Sequence, residues 1–213
     1  AEGDFAKRLA SAIYLNGKYL LLLVFPHPLS FDYSYNTIPL VSFGDVKALI
    51  PLIVIVGLIV YTVKNFSKKD PVAYGILFYA LTIALVCNVL FLIEATLAER
   101  FVYMPSLGFC IALPFFVSKY LKHDGSKNSY NTLPAMFKAN QKLFAFTLFI
   151  VVLFSIKSFS RSRDWIDNYT LLKTDVESVP ESARVRYAYG SELVIARAFN
   201  EKDKALKEQY LNE

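Results

Sequence analysis

Glu99 and Arg100 stand side by side between two apolar runs of membrane-spanning length, in the stretch Leu97-Ala98-Glu99-Arg100-Phe101-Val102-Tyr103-Met104-Pro105. A formal charge costs about 2.5–3.5 kcal/mol at a bilayer centre on insertion scales, so a charged pair at the end of a span needs a reason. Two readings are open. The pair can simply mark the water line of a short loop. Alternatively, Arg100 faces a cavity and holds an anion such as the phosphate of a lipid-linked donor, because a guanidinium fork matches phosphate oxygens two at a time. A second acidic candidate is Asp32. It lies among aromatics in the proline-rich stretch 26–39, with no evident capping role, and is a possible site residue. A metal site is not indicated: His27 has no second His or Cys at ligand spacing, and His123 sits in a lysine-rich, solvated stretch.

These residues are carried by a membrane-type chain. Of its 213 residues 55% are hydrophobic and 19% charged, with mean hydropathy +0.38. A soluble domain carries about a quarter charged residues and few long apolar runs. Charge is unevenly distributed. Residues 1–163 hold 16 Lys and Arg against 8 Asp and Glu, whereas residues 164–213 hold 7 against 10. That pattern describes a basic-flanked membrane part, 1–163, and an acidic extracytoplasmic segment, 164–213, and it excludes a nucleic-acid binder. Cys87 and Cys110 both lie in apolar runs and read as small buried hydrophobes. The chain opens at Ala1 with no signal-peptide pattern and stops at Glu213 in mid-pattern, as expected of a piece cut at both ends.

The expected architecture is all-α: a polytopic bundle of about five spans, near 6–25, 46–63, 72–93, 101–121 and 142–159, followed by a helical tail. Asn16, Gly17 and Lys18 interrupt the first span, which should therefore face protein. Pro105, Gly108 and Pro114 predict kinks and close backbone packing in the fourth. The connection 26–45 contains no Lys or Arg and 94–100 contains only Arg100, while 64–71 and 119–142 are lysine-rich. By the positive-inside rule the lysine-rich connections and the N-terminus are cytoplasmic; 26–45, 94–100 and everything after 160 lie on the opposite side. Lys157, Arg161 and Arg163 are exceptions to that rule. Asp45, after Gly44 and before an apolar run, is the expected N-cap of the second span.

After Trp165, an expected interfacial anchor, the pattern turns amphipathic. Residues 165–178 read as a helix with Trp165, Tyr169, Leu172 and Val176 on one stripe; Val179-Pro180-Glu181-Ser182 breaks it, Ser182 caps a second helix from Ala183, Asn200 makes a turn, and a last helix starts near Glu201. Helix, short turn and helix with small residues at packing positions are similar to the start of a tetratricopeptide array, which needs further repeats to cover its apolar face.

The proline-rich stretch 26–39, the run Leu97 to Cys110 and the tail entered through Trp165 occur in this order. Together they resemble the transmembrane and tetratricopeptide repeat-containing (TMTC) family and its bacterial relatives, whose architecture is similar to GT-C glycosyltransferases. The resemblance implies an enzyme that takes a sugar, mannose in eukaryotic members, from a polyprenyl phosphate carrier to protein hydroxyls on the lumenal or periplasmic side. It implies no cofactor beyond that lipid-linked donor. Its partners would be membrane lipid and acceptor proteins recruited by the tail. By position, Arg100 would meet the lipid phosphate and Glu99 would orient Arg100 or touch a sugar hydroxyl; Glu94 and Tyr103 are further candidates at the donor site.

The family pattern also places its catalytic acid in a first outer loop, ahead of residue 1, so no catalytic residue is expected in this chain and the chain alone should be silent. The scarcity of external cysteines favours a bacterial inner membrane over the endoplasmic reticulum. A non-enzymatic membrane scaffold for a repeat array is the alternative. A transporter fares worse, because no span carries a partnered mid-membrane charge.

Overall fold

The computed structural model describes residues 5–33, 37–87, 97–120, 137–138, 140–198 and 203–212, and the described residues are helices and their connections. The membrane part comprises α1 (Phe5–Val24), α2 (Val46–Phe66), α3 (Pro71–Ala84), a 3-10 turn at Glu99–Val102 leading into α4 (Tyr103–Tyr120), and α5 (Gln141–Asp164). Among the described residues, three runs are long and apolar enough to cross a membrane: Val46–Phe66, Glu99–Tyr120 and Gln141–Asp164. The five expected spans thus meet three helices of that length and composition. α1 is long enough but carries Lys7, Arg8 and Lys18. α3 is described for 14 residues, and 88–93, the end of the expected third span, lies outside the described residues.

Helix α1 packs one face inward, as its polar interruption predicts. It buries Ala10, Ala12, Leu15, Tyr19 and Leu23, and Asn16 satisfies itself by donating to the Ala12 carbonyl at 2.8 Å. Gly17 lies directly under the Pro51 ring of α2, where any Cβ would collide. α3 and α4 approach through a second glycine pair: a Cβ on Gly75 would lie 2.6 Å from the Gly108 carbonyl oxygen, which is backbone and cannot step aside. Close packing at Gly108 is thereby realised.

One polar knot ties the ends of α2, α3 and α4. Asp70 caps α3 by accepting from the Val72 N–H at 3.1 Å, with Pro71 at the first helical position. The same carboxylate accepts from the Tyr61 hydroxyl at 2.7 Å and pairs with Lys119. Asp45 does stand at the N-cap position of α2, but its carboxylate accepts from the Ser42 N–H at 3.2 Å and makes no bond to the helix. Cys87 is buried as expected, whereas Cys110 is exposed because α5 stands away from α4.

In the tail, α6 runs Asn168–Ser178 and α7 Ala183–Ser191, continuing as π-helical turns over Glu192–Ala198; α8 spans Lys204–Asn212. The first tail helix therefore starts three residues later than expected. Trp165 ends α5, and Asp167 caps α6 through the Thr170 N–H at 2.7 Å. Ser182 caps α7 by accepting from the Val185 N–H at 3.3 Å. Asn200 lies outside the described residues. The tail is packed onto the bundle: Val179 and Val185 join one buried cluster with Tyr33 of the loop, Leu23 of α1, Leu97 and Val102.

Candidate functional site

The loop between α1 and α2 is held by carboxylates that come from distant parts of the chain. Glu99, at the start of its 3-10 turn, accepts through Oε1 from the Ser30 N–H and from the Tyr33 hydroxyl, each at 2.6 Å. Burial, then the bond to Glu99, pushes the Tyr33 phenol far above its usual range, so it stays a donor. Asp175 of α6 is completely buried. Its Oδ2 accepts from the Phe31 N–H at 2.7 Å and the Ser30 hydroxyl at 3.2 Å, and its Oδ1 from Arg161 Nη1 at 2.9 Å. Arg161 Nη1 also reaches Asp164 at 3.2 Å. Asp32 points at the tail: it accepts from the Ser182 hydroxyl at 3.3 Å and lies 3.6 Å from Arg184.

Beneath this loop an apolar groove of about 650 Å³ runs between α4 and α5, floored by Leu22 and Leu23 of α1. Phe109, Leu113 and Val117 form one wall; Phe146, Ile150 and Phe154 form the other. Glu99, Arg100, Tyr103 and Ser106 line it where α4 begins. No residue of α5 is buried, so the space beside this helix is an open apolar slot rather than a closed interface. At its other end the slot continues past Phe116, Tyr120 and Lys142.

The arrangement separates the two members of the Glu-Arg pair. The expected role of Glu99 in orienting Arg100 is not what the structure shows, because its carboxylate is engaged by Ser30 and Tyr33 of the loop. Arg100 lies over the Phe101 ring at 5.4 Å and, among the described residues, has no carboxylate partner. Glu99, Arg100 and Tyr103 are thus brought to one groove, Asp32 is placed on the tail, and Glu94 lies outside the described residues. Arg161, Asp175 and Tyr33 were missed. Arg161 read as an exception to the charge rule. Asp175 did carry a signal, since it follows Leu171 by four residues and so shares its inward face.

The same loop segment is where known proteins first match. Residues 1–59 match the family model described as Protein O-mannosyl-transferase TMTC, DUF1736. Over 193 residues, 84% of this chain, the sequence is 30% identical to Protein O-mannosyl-transferase TMTC1 of Mus musculus. The chain belongs to the TMTC family. Homo sapiens TMTC1 is 29% identical over 193 residues, 84% of the chain, and Mus musculus TMTC4 is 29% identical over 194 residues, 87% of the chain. This TMTC chain spans 19%, 20% and 24% of the lengths of those three relatives, respectively. No solved structure matches it. In TMTC terms, the DUF1736 segment contributes α1 and the loop gripped by Glu99 and Asp175, while the matched region as a whole also supplies both walls of the groove.

Proposed function

We propose that this TMTC chain is part of a GT-C-type membrane glycosyltransferase that moves a mannose-like sugar from a polyprenyl phosphate carrier to hydroxyls of acceptor proteins. The observation that carries this reading is the apolar slot between α4 and α5 with Arg100 and Tyr103 at one end. It suits one long hydrocarbon chain with a phosphate at its head. Arg100 meets that phosphate from the α4 side, offsetting charge as the lipid phosphate departs. Tyr103 borders the sugar, and Glu99 keeps the outer loop closed over both. The relatives' printed name, protein O-mannosyl-transferase, supports the sugar and the protein acceptor. α1 and α3 complete five spans in this reading, the loop 26–33 and the tail share the extracytoplasmic side, and α6 with α7 opens a tetratricopeptide-like array that recruits acceptors. The three relatives are animal proteins and lend no support to a bacterial membrane.

The test is sugar transfer by the full-length parent protein in liposomes supplied with a mannosyl polyprenyl phosphate and acceptor protein. Wild type transfers, and Arg100→Gln lowers turnover about tenfold or more while inserting normally, in keeping with loss of a charge-assisted bond. Equal turnover in both removes Arg100 from the site. No transfer by wild type from any lipid-linked sugar shifts the reading to a membrane-anchored scaffold.

A further inference from the structure

The wall formed by α5 does not end at Phe154. The next turns of the same helix carry Lys157, Ser158, Arg161 and Ser162, which with Pro26 and Leu29 of the loop line a second hollow of about 350 Å³. Phe154 borders both spaces, so the hollow lined by Lys157 and Arg161 adjoins the apolar slot. Lys157 is half-buried there, and among the described residues no carboxylate is paired with it. Arg161 is more telling. Its Nη1 is taken by Asp175 and Asp164, whereas Nε and Nη2 are buried and, among the described residues, meet no hydrogen-bond partner. Nε–H and Nη2–H form one straight edge of the guanidinium, the edge that receives two oxygens of a phosphate side by side. Leaving that edge unmet inside a protein is costly, and an oxyanion is the chemical class that meets it. Asp164 and Asp175 pair with Arg161, and Glu99 also acts on it electrostatically, so the cation left for a ligand is Lys157.

We propose that Lys157 and the Nε–Nη2 edge of Arg161 form a phosphate seat on α5 for a membrane lipid whose chain lies in the slot between α4 and α5. With the donor reading above, on which the identity of the lipid as a polyprenyl phosphate rests, the phosphate is gripped from both walls: Arg100 on one side, Lys157 and Arg161 on the other. These two are binding and positioning residues; no bond is made or broken by them.

The experiment is equilibrium binding of a fluorescent polyprenyl phosphate to the full-length protein in nanodiscs of neutral phosphatidylcholine. Lys157→Gln should weaken binding about tenfold, the loss of one charge-assisted bond. Arg161→Lys keeps the charge but lacks the planar edge, and should weaken it to a similar degree. Lys68→Gln, beyond the far end of α2, is the control and should change nothing. Unphosphorylated polyprenol should bind wild type and both variants equally weakly. Proteolytic protection of the tail in Arg161→Lys shows whether its fold is intact, and Lys157→Gln carries the test alone if it is not. Normal phosphate-lipid binding in Lys157→Gln overturns the seat, even if sugar transfer is robust. Anionic phospholipid binding that falls in the variants, with no preference for the polyprenyl phosphate, supports the seat while removing the donor reading. Displacement by inorganic phosphate alone, indifferent to the lipid chain, overturns the assignment to a lipid.

Discussion

Removing the Asp175 carboxylate should release the tail from the loop between α1 and α2. In Asp175→Ala the buried guanidinium of Arg161 loses its 2.9 Å partner, and the Phe31 N–H and Ser30 hydroxyl lose theirs. Asp175 is wholly buried and the Arg161 side chain is 11% exposed, so water does not readily replace what is lost. Breaking a buried pair by deleting one member costs about 3–5 kcal/mol; Asp164, 3.2 Å from Arg161, still offsets part of that charge, so the lower end, about 3 kcal/mol, applies. At about 1.4 kcal/mol per tenfold, local opening of this junction becomes more frequent by about two powers of ten. Hydrogen–deuterium exchange of the solubilised full-length protein reads this directly. Peptides from 26–33 and 168–191 should lose protection by that factor, while peptides from α2 keep theirs. The double variant Asp175→Leu with Arg161→Met should recover part of the loss, since it leaves no charge stranded. Exchange in Asp175→Ala within about threefold of wild type would refute the idea that this carboxylate fastens the tail.

The glycine contact between α3 and α4 predicts that Gly108→Val destabilises the bundle by about 1–3 kcal/mol, because the atoms it would strike are backbone of Gly75 and Tyr79. Gly57→Ala, with nothing within 4 Å, should be neutral or mildly stabilising by the helix propensity difference; thermal unfolding of the two variants in one detergent checks both. Asp70 gives a pH prediction. Burial raises its pKa, but bonds from Lys119, Tyr61 and the Val72 N–H outweigh that and hold it below the usual carboxylate range. A depressed folded-state pKa contributes stability that is complete above the ordinary value of about 3.9 and is lost as pH falls through the folded value. Wild type should therefore be more stable than Asp70→Asn at neutral pH, with the gap closing below about pH 4. A gap constant down to pH 2 would mean that the ionised form is not what matters.

Much of the helical layout was legible in the sequence because it rests on local signals. The apolar run from Val46, the proline-glycine pattern of α4 and the Ser182 cap each depend on residues within a few positions of one another. The interruption at Asn16-Gly17-Lys18 likewise told that α1 faces protein. The site was less legible, because its members are joined over great separations: Ser30 with Glu99, and Phe31 with Asp175, 144 residues apart. A carboxylate in an amphipathic tail reads as solvated until the loop that buries it is known. The opposite held for the Glu-Arg dipeptide, where adjacency suggested a pair. On a 3-10 turn neighbouring side chains diverge, and Glu99 turns to the loop while Arg100 is left at the groove. Arg161, an exception under the expected topology, is paired with the buried Asp175.

A donor lipid seated in the slot between α4 and α5 must touch both of its walls. Photolabelling the full-length protein in a membrane with a polyprenyl phosphate carrying a diazirine along its chain, followed by peptide mapping, reads those contacts. Labels should concentrate on the facing walls, at Phe109, Leu113, Phe146 and Ile150, and be competed away by unlabelled polyprenyl phosphate. Labels spread evenly over the lipid-facing residues of α2, such as Ile53 and Val63, and indifferent to competitor would contradict that seating.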